Sequence, residues 1–108
     1  WPIPARPQPR YSEGMYFVLR YDAVVDDYVN RRAPFRAEHL RLLREAHQRG
    51  EVLMAGAVGE NPDGAIIIFR AETAAPAERF VAQDPYVTNG LILSWRIQPW
   101  NVVIGGHE

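Results

Sequence analysis

Apolar positions along the chain fall into runs that alternate between the period of a strand and that of a helix. Residues 15–21 (MYFVLRY) are dense in aromatic and β-branched side chains and predict a strand. Asp26 and Asp27 then mark a helix cap, and Pro34 suits a first helical turn, where its missing N–H costs nothing. Beyond it Phe35, Leu42, Leu43 and Ala46 recur at helical spacing, and Gly50 suits the position just past a helix end. Residues 51–57 (EVLMAGA) predict a second strand, residues 59–64 (GENPDG) a turn, and residues 65–70 (AIIIFR) a third strand. Thr73 can cap a second helix with Pro76 in its first turn; that helix runs to Gln83, where Asp84 and Pro85 break it. A last strand is predicted from Leu91 to Ile97, extendable to Val103.

The order β-α-β-β-α-β is the split βαβ of ferredoxin-like domains, an α+β fold with a four-stranded antiparallel sheet and two helices on one face. The strands read as apolar on both faces: Met15, Phe17 and Leu19 alternate with Tyr16 and Val18, and residues 66–68 are unbroken isoleucine. Two helices cover only one face, and a bare apolar sheet is a large adhesive patch. A second sheet packed against it, hence a homodimer through the sheet face, is the simplest cover.

Composition narrows the function classes. The chain has 108 residues, enough for one modest core, and 47% apolar residues, which excludes wholesale disorder. A formal net charge of −1 gives no basic footprint, so no nucleic-acid partner is expected. The apolar runs are too short to span a bilayer, so no membrane partner is expected. Without cysteine there is no disulfide, thiolate chemistry or Cys-ligated metal. Residues 1–14 carry four prolines and no hydrophobic period; they read as an extended or disordered arm without the apolar segment of a signal peptide. Residues 15–104 then form the domain, residues 105–108 a flexible tail, and the expected location is cytoplasmic.

Connectivity alone brings chemistry together. A β-α-β crossover makes the first two strands parallel. The start of the first helix, the turn after the second strand and the end of the second helix therefore share one end of the sheet. That end collects residues 31–39, 56–64 and 84–89. His39 borders the apolar stripe of its helix and is the candidate acid or base, although a boundary histidine with no task is the plainer reading of it alone. Asp84 is the carboxylate that can orient the imidazole; Asp-Pro also starts turns without any catalytic role. Arg36, three residues before His39, lies on the same side as a candidate anion ligand, whereas Arg31 and Arg32 read as solvated surface cations. Tyr86 and Gly56 complete the candidate substrate-binding set. His39 and His47 lie too far apart for a helical metal pair, and Gly56-Ala-Val-Gly59 is no dinucleotide fingerprint, so neither metal nor cofactor is expected.

The strand MYFVLRY, the RxxHL of residues 36–40, the AGAV of residues 55–58, the QDPYVTNGL of residues 83–91 and a final strand ending in QPW together resemble the YCII-related proteins of the dimeric α+β barrel superfamily. The resemblance spans residues 15–103 and implies a ferredoxin-like dimer with a site built on a histidine and an aspartate, at positions matching His39 and Asp84. Many relatives carry Gly-Pro after the second strand, where this chain has Gly56-Ala57. The expected function is acid–base chemistry of lyase or isomerase type on a small, anionic or ring-type organic substrate. The alternative is a non-catalytic homodimeric module that binds a small ligand or another protein.

Overall fold

The computed structural model describes residues 15–105; the N-terminal arm and the last three residues of the expected tail lie outside the described residues. Strand β1 (Tyr16–Val24) is followed by a short helix α1 (Tyr28–Arg31), a 3-10 turn (Ala33–Phe35) and helix α2 (Arg36–Gln48). Strands β2 (Val52–Val58) and β3 (Gly64–Arg70) form a hairpin. Helix α3 (Ala75–Gln83), a short helix α4 (Pro85–Thr88) and strand β4 (Ile92–Trp100) complete the chain. The sheet order is β2-β3-β1-β4, with every neighbouring pair antiparallel. This is the α+β ferredoxin-like arrangement expected from the element order.

Strand alternation sorts the core. Phe17, Leu19 and Tyr21 of β1 and Ile67 and Phe69 of β3 point to the helical side, where Ala46, Ala77, Phe80, Val81 and Tyr86 meet them. The end of α2 is pinned to β2 by His47, whose Nδ1–H donates to the Val52 carbonyl at 2.7 Å. Thr73 accepts the Ala75 N–H at 3.2 Å from one residue before the N-cap position, which Ala74 occupies without a side-chain cap, so Thr73 does not cap α3 as the sequence predicts. Asp27 precedes α1 with φ 58°, in the left-handed region, and its carboxylate takes the Asn30 side-chain amide at 2.7 Å rather than a helix N–H.

The outer face of the sheet is less uniform than the sequence implied. Val18, Ile66, Ile68, Met54 and Tyr16 make an apolar half, with Trp100 edge-on to Tyr16 at 6.4 Å between ring centres. Across β1 and β4, however, Arg20 stands opposite Arg96, and Asp22 bridges them at 3.6 and 3.1 Å. Among the described residues no helix is long and apolar enough to cross a membrane.

Candidate active site

The site begins with one helical stripe. From Tyr28 to Gln48 the backbone is almost continuously helical, interrupted only around the 3-10 turn that holds Pro34. Tyr28, Arg32, Arg36, His39, Leu40 and Leu43 recur every three or four residues along it and line one cavity of about 210 Å³. Its opposite wall is Ala55, Gly56 and Ala57 of β2 with Ala65 and Ile67 of β3, and Tyr86 closes one side. By register Gly56 turns its α-carbon to the outer face, opposite Ile66, so it offers the cavity backbone rather than a side chain.

The second contribution comes from the junction of α3 and α4. Pro85 forces the residue before it into an extended conformation, and Asp84 accordingly has φ −66° and ψ 119°. Asp84 therefore ends one helix and caps the next, its Oδ1 accepting the Tyr86 N–H at 3.0 Å. An acid at a helix C-terminus opposes the dipole, but the same acid at the start of α4 is favoured by it, which explains its place without appeal to function. The cap also aims the carboxylate. His39 Nδ1 lies 2.9 Å from Asp84 Oδ1, and the Tyr21 hydroxyl donates to Oδ2. The Tyr86 N–H and the Tyr21 hydroxyl both approach as donors, so the carboxylate is the acceptor in those two bonds. An ionised carboxylate has no proton to give, which puts the imidazole proton on Nδ1. His39 Nε2 then remains as a lone-pair nitrogen, with no hydrogen-bond partner among the described residues.

Packing holds this geometry. His39 is 8% exposed and Asp84 fully buried. The imidazole lies flat on the Tyr86 ring, 3.9 Å between centres and 8° from parallel, with Phe80 edge-on at 6.1 Å. Tyr86 in turn meets Tyr28 edge-on at 5.9 Å. Burial raises the Tyr21 phenol far above its ordinary value, reinforced by the Asp84 charge and hydrogen bond, so it stays a donor. Burial likewise raises Tyr86, opposed by the positive charge of Arg32 and by Arg36. Tyr28 is raised by burial and partly relieved by a bond with Arg32, whose guanidinium sits 5.2 Å over its ring.

Five sequence-level candidates thus come together: Arg36, His39, Gly56 and Tyr86 line the cavity, and Asp84 stands directly behind His39. Arg31 stays outside and donates to the Asp26 carbonyl at 3.4 Å. Arg32, read from sequence as a surface cation, lines the cavity instead, because the turn at Pro34 keeps it in phase with Arg36. Tyr21 and Tyr28 were not foreseen. Tyr21 carries a legible signal, since it continues the Phe17, Leu19 alternation into the core with a polar tip. Tyr28 carries none, as its one-turn helix has no period to read.

Comparison with known proteins places the fold and the family. The profile of the YCII-related domain matches residues 14–101. The chain belongs to the YCII-related domain family. No curated protein matches it. Among solved structures, it is similar to 5-chloro-2-hydroxyhydroquinone dehydrochlorinase (TftG) from Burkholderia phenoliruptrix AC1100 in complex with 2,5-dihydroxybenzoquinone. That similarity has a TM-score of 0.67 at 21% identity, covering 81% of this chain and 94% of the other. It is also similar to a protein from Bacteriodes thetaiotaomicron VPI-5482 assigned as an antibiotic biosynthesis monooxygenase. Here the TM-score is 0.57 at 17% identity, covering 87% and 93% of the two chains. At these identities the likeness is one of fold, which it bears out as α+β and ferredoxin-like.

Proposed function

We propose that this YCII-related protein is a small-molecule enzyme that moves protons with His39 as acid and base, oriented by Asp84. One observation carries the reading: a buried imidazole whose Nδ1 is bonded to a buried carboxylate while its ring borders a cavity with two arginines. Nε2 accepts a proton from the substrate, and Asp84 stabilises the imidazolium that forms. Arg36 and Tyr86 hold an anionic or polar group, and the Gly56 backbone shapes the opposite wall. A lyase or isomerase step suits this equipment, since both need only a proton taken from one atom and returned to, or compensated at, another. The apolar half of the outer face, with Met54 68% exposed, favours a homodimer as the working form.

Ring acids and hydroxyquinones are the substrates to screen first; 2,5-dihydroxybenzoquinone, held by the similar dehydrochlorinase, heads that set. Turnover of one such compound that falls about 10²–10⁴-fold in His39→Gln supports the reading. Turnover that survives His39→Gln intact refutes it. The second reading, a ligand-binding homodimer without catalysis, is favoured by saturable binding of the same compounds with no chemical change.

A further inference from the structure

Tyr86 presents an unusual buried group: it is 1% exposed, and its hydroxyl is shut off from solvent with no acceptor for its proton among the described residues. A buried hydroxyl without a partner has given up its bonds to water for nothing, so a phenylalanine here would be the more stable choice. The groups around it are donors. The positive charge of Arg32 and the guanidinium of Arg36 act on its oxygen, and Tyr28 touches its ring edge-on. Neither Arg32 nor Arg36 forms an ion pair with a carboxylate among the described residues. Arg32 is held over the Tyr28 ring, while Arg36 is exposed and able to move aside. The flat stack of Tyr86 on His39 fixes the hydroxyl and the base as one rigid unit facing the same cavity.

We propose that the Tyr86 hydroxyl, with Arg32 and Arg36, is an oxyanion-binding subsite for a substrate oxygen that becomes negative inside the cavity. This deepens the acid–base reading and rests on it. The substrate class it selects is a conjugated hydroxy-carbonyl or phenolic ring. His39 Nε2 takes a C–H or O–H proton from such a ring, and the bonding electron pair shifts through the conjugated system onto a ring oxygen. That oxygen is received by the Tyr86 O–H and the two guanidiniums. The imidazolium then returns the proton to a different ring atom, which completes an isomerisation with no oxidant or reductant. Donors already gathered where charge develops stabilise it, and burial makes each bond stronger than in water. Tyr86 suits the task because burial keeps its phenol protonated and therefore a donor.

The test uses 4-nitrophenol, whose anion has its own visible absorbance. Bound to the wild-type protein, it should ionise at lower pH than in buffer. In Tyr86→Phe, phenolate binding should weaken about tenfold, while the melting temperature rises by a few degrees because an unsatisfied hydroxyl has gone. A stabilising substitution that costs affinity is the signature of a ligand donor, and a purely structural hydroxyl cannot give it. In His39→Gln the preference for the phenolate should persist, because the donors remain. Unchanged phenolate affinity in Tyr86→Phe, or a lowered melting temperature, overturns the subsite. So does a wild-type protein that shows no preference for the anion. A subsite that holds while turnover is indifferent to His39 sinks only the acid–base reading. The reverse pattern, His39-dependent turnover without phenolate binding, sinks only the subsite.

Discussion

Tyr21 shows how one side chain links the core to the site. Its ring belongs to the core alternation of β1, and its hydroxyl is a donor to Asp84 Oδ2. Tyr21→Phe keeps the ring and deletes that donor. A bond to a charged acceptor contributes about 1.5–3 kcal/mol, so urea unfolding should show a loss of that order. The same substitution should change the alkaline limb of stability. Burial and the Asp84 charge raise the folded-state phenol above its ordinary 10.0. A group raised on folding contributes in full below its unfolded value and loses that contribution as pH climbs above it. Stability should therefore decline from about pH 10 upward, and more gently in Tyr21→Phe, with Tyr28 and Tyr86 supplying the residual slope. An identical alkaline slope in both proteins would mean that folding does not raise the Tyr21 phenol.

At the level of elements, two glycines of the hairpin separate structural from permissive positions. A Cβ on Gly64 would stand 2.8 Å from the Tyr21 carbonyl oxygen, which is backbone and cannot swing away. Gly64→Ala should cost about 1–3 kcal/mol in thermal or urea unfolding. A Cβ on Gly56 meets nothing within 4 Å, so Gly56→Ala should stay within about 0.5 kcal/mol of wild type. Equal losses at both positions would contradict the close approach of Gly64 to β1 and the open space beside Gly56. The strands and long helices were legible because their apolar periods are the packing itself. The Ile66–Ile68 run and the Phe35, Leu42, Leu43 stripe leave little choice. The short helices were not: Tyr28–Arg31 has no period, and Asp84-Pro85 read as a helix breaker when it also begins the next turn. That His39, Asp84 and Arg36 lie at one end of the sheet follows from connectivity, which needs only the direction of each element. Arg32 was misread because its phase depends on how the turn at Pro34 winds, a detail that no local propensity supplies.

For the whole molecule, the outer face of the sheet decides the expected assembly. Met54 at 68% exposed, with Val58 and Trp100, leaves apolar surface that water disfavours, beside the Arg20–Asp22–Arg96 cluster. Two copies related by a two-fold axis would bury the apolar halves and keep the charges paired across or beside the joint. Light scattering at micromolar concentration should give roughly twice the 12.3 kDa chain mass. Met54→Glu should shift the protein toward the single-chain mass, because a buried unpaired carboxylate disfavours association. A wild-type monomer would remove the homodimer from the account while leaving the cavity on the helical side intact.

In the proposed mechanism Asp84 holds the His39 proton on Nδ1 and leaves Nε2 as the base. Nitrogen-15 NMR of the neutral imidazole measures this directly, since protonated and lone-pair ring nitrogens differ widely in shift. The wild-type protein should show Nδ1–H with a bare Nε2, and Asp84→Ala should lose that single tautomer. A wild-type His39 protonated on Nε2 would contradict it.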